Sequence, residues 1–124
     1  PFIRQQPLRG HAPKPVIYQF AKGDVTVPNP TTSAILRAGG LADRATYYRN
    51  DLAYAANPAV GKNPHTFLTN IFNPAAAPAA LGAQVQIATF FASHGALAID
   101  PDGAGPLFEV PIVGPLPEGT NFIP

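Results

Sequence analysis

Asp24 and His65 have the side-chain types and the setting for acid–base chemistry. An imidazole can take up and return a proton near neutral pH, and a carboxylate beside it can hold the ring in one tautomer. Asp24 lies in "AKGDVTVPNP" (21–30), and His65 follows 41 residues later in "NPHTFLTN" (63–70). Nearby prolines stiffen both segments and lower the entropy cost of holding the two groups in place. The sequence therefore predicts an aspartate–histidine pair, provided that the fold brings the two loops together.

Both residues also have simpler interpretations. Gly23–Asp24 is a common turn pair, so Asp24 could serve only to shape a turn. His65 could be a loop histidine with a capping role. Asp51 is the alternative acid, because it follows the second predicted strand and lies in the same predicted loop as His65.

The other histidines and the two serines are weaker candidates. His94 follows the last predicted helix, where the helix dipole favours a cation, and His11 is predicted at the surface or at an interface. Ser33 falls within a predicted helix and Ser93 at a helix end. Neither serine occupies the sharp strand-to-helix turn that exposes a serine nucleophile.

Cofactor and metal sites are not predicted. The chain has no cysteine, and its 3 histidines are too far apart for a zinc site. "DPDG" (100–103) resembles the start of a calcium loop, but the twelfth position, which needs a glutamate, is Pro111. We expect a turn there.

The composition limits the classes of partner. A formal charge of +1 arises from 8 basic and 7 acidic residues with no run of either sign, which argues against nucleic acid as a partner. No apolar run approaches the roughly 18 residues of a membrane span, so no transmembrane segment is predicted. Because the chain begins with Pro1, we expect it to have been processed or cut from a longer protein.

Sixteen prolines confine regular structure to the stretches between them. A strand, a helix and a strand in succession form a βαβ unit, so these two strands should be parallel. Asn29 or Thr31 should cap the first helix and Gly39 should end it. The predicted elements are a strand at 15–20, a helix from about 29 to 39, a strand at 45–51, a helix at 79–93 and, in a turn-rich tail from about 95, a short strand at 107–110.

The helix at 79–93 is predicted to pack one broad apolar stripe on the sheet. Phe90 is the one large apolar residue that falls outside this stripe. The predicted contact residues are Leu81, Gln84, Val85, Ile87, Ala88 and Phe91.

These elements predict an α/β fold that is incomplete alone. Two parallel strands and two helices make a sheet too narrow to bury its faces, and open strand edges invite pairing with another chain or segment. Asp24 and His65 follow consecutive strands and should lie at the same sheet edge. An acid followed by a histidine in this order is typical of the last two members of a Ser-Asp-His triad.

Residues 15–111 resemble the C-terminal part of bacterial α/β-hydrolase lipases and esterases, through "KPVIYQFAKGDVTVPNP", "NPHTFLTN" and "QIATFFAS". The resemblance implies that residues 1–124 are the C-terminal segment of one α/β-hydrolase domain, with Asp24 as catalytic acid and His65 as catalytic histidine. It further implies hydrolysis of ester or lipid substrates without a cofactor, and favours a secreted or periplasmic location.

The chain departs from this family in lacking a Gly-x-Ser-x-Gly motif. The resemblance places the nucleophilic serine upstream, so the expected partner is an N-terminal portion of the same protein or another copy of this chain. A noncatalytic α/β module, used in binding or assembly through oligomerisation, is the alternative.

Overall fold

The fold centres on a three-stranded sheet, seen in a computed structural model that describes residues 3–124. β1 and β2 run parallel in register, with Tyr18 opposite Ala45, and β3 joins the far side of β2 in the antiparallel direction. The strands are β1 (Tyr18–Ala21), β2 (Ala45–Tyr48) and β3 (Phe108–Glu109), in the order β1-β2-β3.

Across residues 3–124, three α-helices and three single-turn 3₁₀ helices connect and cover the strands. The helices are α1 (Asn29–Gly39), α2 (Asn50–Ala56) and α3 (Ala77–Ala92), and the 3₁₀ turns span Ala42–Arg44, Pro58–Val60 and Phe67–Thr69. The predicted helices and strands are therefore all present, but each strand is shorter than predicted, and α2 is an additional helix. Within the described residues, the helices are too short or too polar for any of them to cross a membrane.

The ends of α1 differ from the prediction. Asn29 does not cap the helix, because its buried side chain donates a hydrogen bond to the Ala21 carbonyl oxygen. The left-handed residue after the helix is Gly40, with φ 60°, and not Gly39. Glycine suits this position because a side chain there would be strained.

Both faces of the sheet are covered. Side chains alternate along a strand, so Phe20 and Tyr47 point to one face while Ala21 and Tyr48 point to the other. The first face packs against α1 and the tail through Phe20, Leu36, Leu41, Ala45, Tyr47, Ile112 and Leu116. The second packs against α2, α3 and the segment before α3 through Ala21, Tyr48, Ala53, Phe67, Leu68, Ala83 and Phe108.

The predicted contact face of α3 is wrong. The buried residues of this helix are Ala80, Ala83, Gln86 and Phe90, whereas Leu81, Val85 and Phe91 are more than half exposed. Ala83 belongs to the core cluster that includes Ala21 and Tyr48 of the sheet. The side of α3 with the larger apolar residues therefore faces outward.

A polar bridge explains why a glutamine is buried against the sheet. Gln86 is fully buried, and its Oε1 accepts hydrogen bonds from Gln19 Nε2 at 2.6 Å and Thr46 Oγ1 at 3.0 Å. Its Nε2 donates to the Ile99 carbonyl oxygen. A buried amide is tolerated when both of its ends are bonded, so these contacts fix which side of α3 faces β1 and β2.

Candidate active site

Asp24 and His65 lie on loops beyond the carboxyl ends of the parallel strands. The backbone continues the β1–β2 pairing for one step, where Lys22 N donates to the Tyr48 carbonyl oxygen at 2.8 Å. Gly23, with φ 84°, then turns the chain away from the sheet. His65 is held between Pro64, which is buried, and the 3₁₀ turn that starts at Phe67.

The structure brings the two residues together. His65 Nδ1 lies 3.0 Å from Asp24 Oδ2, which is hydrogen-bond distance. The other carboxylate oxygen, Oδ1, accepts hydrogen bonds from the backbone N–H groups of Thr26 and Val27, each at 2.8 Å. Both oxygens of Asp24 are thus held in place, one by its own loop and one by the imidazole.

This contact decides which ring nitrogen of His65 is available. An ionised carboxylate only accepts hydrogen bonds, so a neutral His65 carries its proton on Nδ1 and leaves Nε2 as the acceptor. The His65 side chain is 39% exposed and that of Asp24 is 13% exposed. The arrangement therefore leaves Nε2 as the proton acceptor of a partly exposed ring and keeps the carboxylate largely covered.

Asn63 is a site residue that the sequence analysis missed. Its Oδ1 accepts hydrogen bonds from His65 N at 3.2 Å and from Val25 N at 3.3 Å, so one side chain joins the two loops. The bond from His65 N, two residues further on, is the usual turn geometry of asparagine, which "NPH" could have indicated. The bond to Val25 connects distant segments and has no signal in the sequence.

Asp51, the alternative acid, does not contact His65. It lies in the first turn of α2, and its carboxylate accepts hydrogen bonds from Arg49 and Lys22 at 2.8 to 2.9 Å. Burial acts to raise the pKa of Asp51, but the bonds from Arg49 and Lys22 outweigh it and lower the pKa to about 2. Asp51 is thus a structural ion-pair residue that joins the ends of β1 and β2.

The other candidate residues, the two serines and two further histidines, lie away from the Asp24–His65 contact. Ser33 is fully buried and donates to the Pro117 carbonyl oxygen, and Ser93 bonds Phe90 and Leu97 at the end of α3. His11 and His94 are exposed. At "DPDG", Asp100 Oδ1 accepts from Asp102 N in a turn, as predicted. Residues 3–124 contain no group of three or more histidine, cysteine or acidic side chains that could hold a metal.

A cleft of about 400 Å³ runs along β1 and ends at the Asp24–His65 pair. Five consecutive residues, 17–21, line the cleft. Because successive side chains of a strand point to opposite faces, a cleft that contacts all five follows the outer edge of β1. The remaining lining residues are Asp24, Val27, Asn29, Thr32, Pro64, His65, Phe67 and Leu68.

Comparison with known proteins gives no match to this chain among family models, curated proteins or solved structures.

Proposed function

We propose that this chain supplies the acid and the histidine of a Ser-His-Asp triad in a carboxylic ester hydrolase, an esterase or lipase. The observation that carries the proposal is the 3.0 Å contact between Asp24 and His65 Nδ1, which leaves Nε2 free. The two residues come from loops 41 positions apart, so a turn-forming role for Asp24 alone does not account for the contact.

The proposed reaction uses each group in one role. His65 Nε2 removes the proton from a serine hydroxyl as the oxygen attacks the ester carbonyl, and the resulting imidazolium is stabilised by Asp24. The imidazolium then returns the proton to the leaving alcohol. A water molecule, deprotonated by His65 in the same way, attacks the acyl carbonyl, and His65 returns the proton to the serine oxygen as the bond between serine and the acyl group breaks. These groups need no cofactor or metal ion.

The nucleophilic serine is proposed to come from outside this chain. Ser33 and Ser93 both form hydrogen bonds away from His65, and no strand among residues 3–124 pairs with the outer edge of β1. The cleft that leads to His65 follows this edge. Strand edges pair readily with other strands. A strand of an N-terminal portion of the same protein, or of another copy, would extend the sheet there and carry a serine to the same end of it.

The resemblance to bacterial α/β-hydrolase lipases and esterases supports this proposal through the order of the acid and the histidine. On the same ground we propose α/β-hydrolase architecture for the completed domain, ester or lipid substrates, and a secreted or periplasmic location.

The test is ester hydrolysis by the full-length gene product. We expect His65→Ala to lower kcat/KM for short and long acyl esters by roughly 10³-fold or more, because proton transfer and nucleophile activation are both lost. His94→Ala is the matched control, since His94 is exposed beyond α3, and it should retain activity. Equal activity in wild type and His65→Ala would refute the site.

The alternative, a noncatalytic module that acts through oligomerisation, is favoured by the outward face of α3. Leu81, Val85 and Phe91 are 51%, 54% and 71% exposed, which is unusual for three large apolar side chains on one helix. Under this alternative the full-length protein hydrolyses no ester, and Phe91→Ser shifts its mass in light scattering from oligomer to monomer. Ester hydrolysis that depends on His65 would exclude it.

A further inference from the structure

The loop that carries Asp24 is closed at its base by Asn29. Asn29 is the first residue of α1, is 1% exposed, and donates from Nδ2 to the Ala21 carbonyl oxygen at 2.7 Å. Ala21 is the last residue of β1. One buried amide therefore joins the residue before the loop to the residue after it.

Asn121, from the distant tail, holds the loop next to Asp24 itself. Its Oδ1 accepts a hydrogen bond from Gly23 N at 3.0 Å. The two backbones also pack closely, because a Cβ added at Gly23 would lie 3.3 Å from the Asn121 carbonyl oxygen. Asn121 adopts a positive φ of 44°, a conformation that asparagine tolerates better than most residues.

Tyr47, on β2, connects these two asparagines. Its hydroxyl donates to Asn29 Oδ1 at 3.4 Å and accepts from Asn121 Nδ2 at 3.2 Å. Burial raises the pKa of Tyr47, so the phenol keeps its proton and remains a donor. Asn121, Tyr47 and Asn29 thus form a continuous chain of side chains, the amide–phenol chain, from the tail through β2 to α1.

The amide–phenol chain fixes the loop of Asp24 relative to the sheet, which the hydrogen bonds of Asp24 itself do not do. The hydrogen bonds from Thr26 and Val27 orient the carboxylate relative to its own loop, and they move with that loop. His65 lies on a different loop, so its contact with Asp24 also requires the first loop to be fixed relative to the sheet. Two hydrogen bonds, from Asn29 to the Ala21 carbonyl oxygen and from Gly23 N to Asn121 Oδ1, fix the loop relative to the sheet on either side of Lys22.

We infer that Asn29, Tyr47 and Asn121 are positioning residues that fix the loop of Asp24 and so keep its carboxylate against His65 Nδ1. Their importance for catalysis rests on the proposed function, whereas their effect on the Asp24–His65 contact does not.

The experiment compares Tyr47→Phe with Tyr48→Phe in the full-length protein labelled with ¹⁵N-histidine. Tyr47→Phe keeps the ring that packs 4.7 Å from Phe20 and removes only the hydroxyl. Tyr48 is the matched control, because its hydroxyl makes no hydrogen bond within residues 3–124. The readout is the Nδ1–H proton resonance of His65, assigned by its loss in His65→Ala.

We expect the Nδ1–H resonance in wild type and in Tyr48→Phe, and its loss by exchange with water in Tyr47→Phe. Asn121→Gly provides a second variant, since glycine accepts the positive φ and only the amide is removed. It should lose the resonance as well. In an active enzyme both variants should lower kcat about 10-fold with little change in KM, because misplacement of a catalytic group mainly slows the chemical step.

A resonance that persists in folded Tyr47→Phe and Asn121→Gly would overturn the inference, and so would its equal loss in Tyr48→Phe or its absence from wild type. The spectrum requires no substrate. Failure of ester hydrolysis would therefore refute the proposed function and still leave the positioning role to be decided by the resonance.

Discussion

Two kinds of contact position Asp24 and His65, one local in sequence and one between distant residues. The turn from Asp24 to Val27 is local, and the Gly-Asp pair indicates it. The contact with His65 spans 41 residues and depends on two loops leaving the same end of two parallel strands. The placement of an acid and a histidine after consecutive strands predicted this pair, with Asp51 as an alternative acid, but it did not predict Asn63, which contacts both loops.

Asp24→Asn keeps the shape of the side chain and removes its charge, so it tests the role of the Asp24 carboxylate. In Asp24→Asn the side-chain amide can donate to Nδ1, which places the ring proton on Nε2 and removes the base. We expect kcat for ester hydrolysis by the full-length protein to fall by on the order of 10⁴-fold, with little change in KM.

Asp51→Asn is the matched control for this substitution, because Asp51 bonds Arg49 and Lys22 and not His65. Its kcat at neutral pH should stay within a factor of about three, well below the tenfold change that 1.4 kcal/mol represents. Comparable losses in the two variants would remove Asp24 from the site.

At the scale of the element, α3 shows that an apolar stripe need not face the core. The helix is apolar on much of its circumference, so the pattern alone did not decide which face is buried. Gln86 decides it, because its amide bonds both Gln19 on β1 and Thr46 on β2. The cost of burying an amide is offset only in this orientation.

Removing this amide should therefore destabilise the fold more than removing an exposed one. We expect Gln86→Leu to lower the free energy of unfolding by about 1–3 kcal/mol, since Gln19 and Thr46 lose their buried partner. Gln84→Leu is the control, because Gln84 is exposed and donates to the Leu68 carbonyl oxygen, and its effect should be within about 0.5 kcal/mol. Urea unfolding measures both, and a smaller loss in Gln86→Leu than in Gln84→Leu would contradict the structural role of the bridge.

At the scale of the whole molecule, ion pairs hold the sheet together beneath the site. Asp51 joins Lys22, just after β1, to Arg49, just after β2, and Arg49 also bonds Glu109 on β3 at 3.1 Å. Ion pairs thus connect the three strands at one end of the sheet, whereas the outer edge of β1 has no partner strand in the part of the chain that the structure describes.

These ion pairs predict how stability depends on pH. The folded-state pKa of Asp51 is about 2, below its ordinary value of 3.8, so its stabilising contribution is complete above that ordinary value and is lost as pH falls towards 2. We expect the difference in Tm between wild type and Asp51→Asn to be constant from pH 7 to 5 and to shrink between pH 4 and pH 2. Calorimetry across this range measures it, and a constant difference down to pH 2 would show that Asp51 is not held by these cations.

Sequence alone predicted β1, α1, β2 and α3 approximately, because prolines, glycines and short apolar runs act locally. It marked Asp24 and His65 as candidates because they follow consecutive strands. It did not predict α2, since the polar residues of "RNDLAYAA" (49–56) suit a loop as well as a helix. The tertiary structure decided which face of α3 is buried, which aspartate contacts His65, and that the tail anchors the loop of Asp24. These features depend on hydrogen bonds between residues far apart in the chain, whose partners become known only when the strands, helices and tail are packed together.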